Sequence, residues 1–136
     1  MLLFDVLLKT SERYHHNDTS AGDLDGNGDC EIVLHQAGRN HENSHNEPTS
    51  DLILQAYKMD GTFLWEINLG KNIRAGAHYT EFIVYDLDCD GEAEIVCKTT
   101  DGTKDGVGKI IGDQPKNYAN ENGKILDGPK FLCARD

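Results

Sequence analysis

Acidic and amide side chains alternate twice along this chain in one nine-residue pattern, each time running into a short apolar segment. Asp23-Leu24-Asp25-Gly26-Asn27-Gly28-Asp29-Cys30-Glu31 leads into Ile32-Val33-Leu34, and Asp86-Leu87-Asp88-Cys89-Asp90-Gly91-Glu92-Ala93-Glu94 leads into Ile95-Val96. Side-chain oxygens stand at the first, third, fifth and ninth places: Asp23, Asp25, Asn27 and Glu31, then Asp86, Asp88, Asp90 and Glu94. A hard cation such as Ca²⁺ takes about six to eight oxygens at roughly 2.3–2.6 Å, and the glycine at the sixth place supplies the tight turn that gathers them. Asp29 and Glu92, at the seventh place, would present their backbone carbonyls. The pattern is not an EF-hand, whose bidentate Glu sits at the twelfth place; here those places are Leu34 and Cys97. Plain solvated turns are the bland reading, because Asp-Gly and Asn-Gly favour hairpins. A hairpin, however, has no use for four alternating oxygens whose repulsion is uncompensated. Calcium is therefore the expected cofactor.

Short strands must position these loops. Residues 31–36 read as a strand, and 37–50, rich in His, Asn and Glu, as an exposed loop. Residues 51–59 and 62–69 read as a hairpin across Asp60-Gly61, and 80–85 and 94–100 flank the second loop. Asp101-Gly102, Asp105-Gly106 and Gly112-Asp113 punctuate a turn-rich tail, where only a short helix over 117–121 is expected. The loops mark a repeat with a period near 60 residues and about four short strands per unit, which is blade-like. The expectation is an all-β fold, a partial β-propeller of about two blades with calcium-binding loops, whose edges and open face await the rest of a ring.

Composition narrows the partners. The chain has 136 residues, 38% of them apolar, and a net charge of −11. Nine of its acids sit in the two loops, so bound Ca²⁺ would relieve much of that imbalance. An acidic surface argues against nucleic acid and anionic membranes as partners. No apolar run approaches the roughly 20 residues of a transmembrane helix, and the apolar start lacks the basic flank and cleavage site of a signal peptide. Cys30, Cys89, Cys97 and Cys133 have no zinc-like spacing. Ordinary buried or half-buried thiols are expected of them.

Gly70-Lys71-Asn72-Ile73-Arg74-Ala75-Gly76-Ala77-His78-Tyr79-Thr80-Glu81-Phe82, the VYDLDCDGEAE and KTTDGTKDGVGKIIGD runs, Asn117-Tyr118, Gly123-Lys124-Ile125-Leu126 and Gly128-Pro129 resemble the rhamnogalacturonan lyases of polysaccharide lyase family 11. The resemblance covers about residues 14–132, leaving 1–13 as a leader and 133–136 as a tail unlike the family. It implies an eight-bladed, calcium-loaded propeller, secreted or periplasmic, that cleaves pectic rhamnogalacturonan I by β-elimination, with this chain the N-terminal part of that propeller and the remainder missing. It places a substrate-contacting Asn on Asn17, and on Asp18 an Asp that helps the first loop hold its ion, swung in beside Asp23 by a short turn. A second sugar contact, the Asp of a Lys-Trp-Asp run, is replaced where this chain has His35-Gln36-Ala37. Cys89 stands where the family has Gly, and β-carbon strain there predicts that the first loop binds its ion more tightly. The family's catalytic Arg and Lys have no counterpart here.

Elimination from a uronate needs an acidified C5 proton, a base, an acid for the leaving oxygen, and cations beside the carboxylate. Lys71, Arg74, His78 and Lys98 have suitable chemistry, although pairing of Arg74 and Lys98 with acids and a solvated Lys71 is the plainer reading. His35, His41 and His45 invite a transition metal, but a polar loop without a partner Cys argues against it. Trp65 alternates with apolar neighbours and reads as core. Two function classes remain: a lyase fragment, inactive by itself, and a calcium-stabilised repeat module with a binding or scaffold role. The Asn-Ile-Arg-Ala-Gly-Ala-His-Tyr-Thr run favours the first, since a generic calcium blade has no reason to carry it.

Overall fold

The computed structural model describes residues 5, 8, 13–39, 44–76, 80–114 and 116–135. Among these residues lie seven strands and no helix. β1 (His15–Gly22), β2 (Glu31–Ala37), β3 (Leu52–Tyr57) and β4 (Phe63–Gly70) form an antiparallel sheet in sequence order. β5 (Phe82–Tyr85), β6 (Glu94–Thr99) and β7 (Phe131–Arg135) form a second antiparallel sheet, again in sequence order. The strands expected from pattern are present within a residue or two. β1 and β7 carried no apolar alternation to announce them: β1 reads HHNDTSAG and is mostly exposed.

β3 is buried along its whole length, so both of its faces are covered. Leu52, Leu54 and Ala56 join Val33, Ala37, Ile67 and Leu69 with Val84, Ala93, Ile95 and Cys97 in one core cluster. That cluster spans both sheets, with Trp65 half-buried against it, as its alternation predicts. The opposite face of β3 carries a polar chain. Gln55 Oε1 accepts from Gln36 Nε2 and from the Tyr57 hydroxyl at 2.7 Å, while Gln55 Nε2 donates to Glu66 Oε2 at 2.7 Å. The Gln55 amide is thereby satisfied at both its oxygen and its nitrogen, which is the condition for burying it there.

The sheets meet where β1 ends. A β-carbon on Gly22 would stand 2.7 Å from Val84 Cγ1 and 2.9 Å from the Ala93 β-carbon, so only glycine fits. The tail then folds back on the edge of β4, where Asn68 and Lys104 exchange backbone hydrogen bonds, each 2.8 Å. The short helix expected over 117–121 is absent. Ala119 instead bridges Ile125, and the Asn120 side chain accepts from Asn122 N and Lys124 N at 3.0 and 2.9 Å. Asn side chains compete well for local backbone donors, and that favours a turn over a helix.

Two gripping residues hold the tail down. Asn72, fully buried, donates to the carbonyls of Asp101 and Lys116 and accepts from Tyr118 N. The Arg74 guanidinium donates to the carbonyls of His45, Glu47 and Gly123 at 2.6, 3.0 and 2.8 Å. Three hydrogen bonds of the Arg74 guanidinium thus go to backbone oxygens.

Candidate metal centres and saccharide contact

The two acidic loops are built alike, atom by atom. In the first, Leu24 N donates to Glu31 Oε2 at 2.9 Å, Gly28 N to Asp23 Oδ2 at 2.7 Å, and Asp29 N to Asn27 Oδ1 at 2.7 Å. In the second, the equivalent bonds run from Leu87 N to Glu94 Oε2 at 2.7 Å, Gly91 N to Asp86 Oδ2 at 3.1 Å, and Glu92 N to Asp90 Oδ1 at 2.9 Å. The fourth and sixth places have positive φ in both copies: Gly26 at 68° and Gly28 at 93°, Cys89 at 65° and Gly91 at 99°. Cys89 is the only non-glycine with positive φ among the described residues. The left-handed conformation costs an L-residue roughly 1–2 kcal/mol, and the chain accepts it here to keep the loop shape.

Such folding turns the carboxylates inward. Oxygens of Asp86, Asp88, Asp90 and Glu94 lie within 4.8 Å of one another, and so do those of Asp23, Asp25 and Glu31. Glu31 and Glu94 are the buried floor of each group, 2% and 5% exposed. Glu94 Oε1 and Asp86 Oδ1 are buried with no hydrogen-bond partner among the described residues. An unmatched carboxylate oxygen in that setting is costly unless a cation meets it. The donor set is all oxygen and anionic, which suits Ca²⁺ and fits no soft metal. The side chains of Asp29 and Glu92 stand outside the two groups.

Other site residues fall differently. Asp18 lies on β1, so the short turn expected to bring it beside Asp23 is not formed; strand pairing continues to Gly22. Its charge acts on His35 instead. Asn17 and Asp18 occupy a register irregularity between His16 and Thr19, the kind of break that re-aims side chains next to binding sites. Asn17 is exposed there. At about 3.3 Å per residue, it stands roughly 20 Å along the strand from Asp23. Ala37 is buried in the core cluster.

Lys58 is a residue that the loop pattern could not reveal. Its ammonium lies 3.0 Å from Asp25 Oδ2, and that hydrogen bond raises its pKa. Only the pairing of Ile32 with Tyr57 brings it beside the loop. The two loops also touch: Ala93 N donates to Asp23 O at 2.6 Å. Lys71 is exposed on a cavity of about 300 Å³ with Asp51, Asp101 and Lys104. Lys98 is half-buried beside Lys130. His41 and His78 lie outside the described residues. His35, fully buried, meets Thr80 Oγ1 at 2.9 Å, and burial lowers its pKa.

Residues 9–136 match the family model for "Rhamnogalacturonan lyase family 11, C-terminal domain". The chain belongs to rhamnogalacturonan lyase family 11. The match extends past both ends of the 14–132 span. Within the family, the chain is 56% identical over 120 residues to the rhamnogalacturonan exolyase YesX of Bacillus subtilis, covering 88% of this chain and 20% of that protein. It is 55% identical over 123 residues to the rhamnogalacturonan endolyase YesW of the same organism, covering 90% of this chain and 20% of that protein. Among solved structures, a Bacillus licheniformis family 11 rhamnogalacturonan lyase superposes with a TM-score of 0.87 at 56% identity, covering 89% of this chain and 21% of that one. The YesW crystal structure gives 0.87 at 50% identity, covering 96% of this chain and 24% of that one. This family 11 chain therefore spans about a fifth of the length of the curated relatives it matches.

Proposed function

We propose that this chain is a segment of a rhamnogalacturonan lyase that cleaves pectic rhamnogalacturonan I by β-elimination, outside the cytoplasm. Its two sheets are the first blades of a calcium-stabilised β-propeller. The observation that carries this reading is the identity of 55–56% to two lyases over nearly the whole chain. An exolyase and an endolyase match almost equally, so the identity favours neither mode of cleavage.

Calcium would be held by Asp23, Asp25, Asn27 and Glu31 with the Asp29 carbonyl, and by Asp86, Asp88, Asp90 and Glu94 with the Glu92 carbonyl. There it would neutralise clustered carboxylates and tie each loop shut. Its part is structural, since the loops stand at the far end of the strand from Asn17. Asn17, raised on the irregularity in β1, would hydrogen-bond the sugar and hold it in register. Orienting a substrate against acid and base groups supplies a large share of a rate enhancement, and here those groups would come from later blades of the ring.

Grafting tests this directly. Residues 14–132 would replace the aligned segment of YesW, and release of the unsaturated uronate from rhamnogalacturonan I would be followed by its ultraviolet absorbance. The graft is expected to retain activity, to lose it on calcium chelation, and to lose at least tenfold on Asn17→Ala. A folded graft that binds the polysaccharide but does not cleave it would instead make this segment a binding module.

A further inference from the structure

Cys97 on β6 stands directly opposite Cys133 on β7 in the antiparallel register. Opposed residues in such a pair lie about 4.5–5.5 Å apart at Cα and project from the same face, inside the roughly 4.4–6.8 Å that a disulfide spans. Both are free thiols. Cys97 is buried in the core cluster, and burial, reinforced by neighbouring Cys133, pushes its thiol up to about 11. Cys133 is half-buried, with its Sγ 2.9 Å from Thr99 Oγ1. The two cysteines share the lining of a groove of about 250 Å³ with Ile67, Ile95 and Ile111. That is room for a small reagent to arrive at Cys133. Cys30 and Cys89, by contrast, are exposed in the acidic loops.

We propose that Cys97 and Cys133 form a redox-closing dithiol, a modification site on which a low-molecular-weight disulfide acts. The Cys133 thiolate attacks one sulfur of the reagent, breaks its S–S bond and releases one thiolate, which takes up a proton. Cys133 is left as a mixed disulfide. Cys97 then gives its proton to solvent and attacks the Cys133 sulfur across the ladder, expelling the second half of the reagent. The two protein sulfurs lose two electrons and two protons, and the reagent is reduced to two thiols. The product ties β7 covalently to β6. Only a thiolate is nucleophilic, so deprotonation of buried Cys97 makes closure the slow step.

A chain carrying Cys30→Ser and Cys89→Ser isolates the pair. Incubated in the native state with oxidised glutathione, it should lose both titratable thiols, retain no glutathione and weigh two hydrogens less. The rate of closure should climb from neutral to mildly alkaline pH. Adding Cys97→Ser, or Cys97→Ala where the serine does not fold, should leave one stable glutathione adduct on Cys133. Adding Cys133→Ser instead should slow reaction with the reagent at least tenfold, because the remaining thiol is buried. Two thiols that stay titratable, a stable adduct while Cys97 is present, or closure only after unfolding in urea would overturn the proposal.

Discussion

Lys58 and Cys89 set the two acidic loops apart at the level of single residues. Strain at Cys89 argues for tighter binding in the first loop. The Lys58–Asp25 pair and the extra carboxylate of the second group argue the other way. Charge count is a principal control on calcium affinity, and Asp18 stands apart from the first group, so the second loop should bind more tightly. Calcium titration of the chain should resolve two sites, with Asp86→Ala removing the stronger and Asp23→Ala the weaker. Lys58→Met should tighten only the first site, and Cys89→Gly only the second; a Lys58→Met chain whose sites are both unchanged would refute the charge argument. Arg74 serves folding. Its replacement by Met leaves three backbone carbonyls without their donor, that of buried Gly123 among them, and hydrogen bonds from a charged donor are worth about 1.5–3 kcal/mol each. Urea denaturation of Arg74→Met should show a loss of about 3 kcal/mol or more, and Arg74→Lys should recover little, since an ammonium cannot reproduce the guanidinium fork.

Between elements, the decisive contact is β1 against β5 at Gly22. A single methyl there meets Val84 and Ala93 below ordinary contact distance. Overpacking of a tight site costs about 1–3 kcal/mol, and Gly22→Ala should lower stability by that much while leaving far-ultraviolet circular dichroism intact. The same junction places Asp23 O on Ala93 N, so the variant should also weaken calcium binding in both loops together. His35 tests the other end of the sheet. Its Nε2 meets Thr80, while Nδ1 has no partner among the described residues. Burial, opposed by the charge of Asp18, holds its pKa below the ordinary 6.5. The unfolded chain therefore binds this proton more readily than the folded one. Stability should be full above pH 6.5 and decline below it towards the folded pKa, by up to about 1.4 kcal/mol per pH unit. Denaturation midpoints measured in chelator between neutral pH and pH 5 should show that slope, and His35→Gln should flatten it.

At the scale of the whole molecule, one apolar cluster crosses both sheets, so they should melt as a unit. Calcium binding only the native state would add about 2.7 kcal/mol per site at a hundredfold excess over Kd. Without it, the Asp86, Asp88, Asp90 and Glu94 carboxylates are held together unneutralised. Chelation should lower the melting temperature in a single cooperative transition, and identical curves with and without chelator would exclude the coupling. On the function proposed above, the chain by itself should release no unsaturated product from rhamnogalacturonan I, because that reading assigns the acid and base groups to later blades.

The acidic loops were legible in the sequence because their chemistry is local. Spacing alone specifies which oxygens one glycine turn can gather, and five strands announced themselves by apolar pattern. β1 and β7 did not, since a mostly exposed strand has nothing to alternate, and the polar 117–121 stretch read as helix because its side-chain-to-backbone bonds have no periodicity. Arg74 and Asn72 stood out as part of a distinctive run, yet that they grip backbone carbonyls could be seen only once distant loops were in place. The same is true of Lys58 beside Asp25, Gly22 beneath Val84, and Cys97 across from Cys133. In each case the partner is supplied by strand register or sheet packing, and such contacts between residues far apart in the chain leave no periodic trace in its sequence.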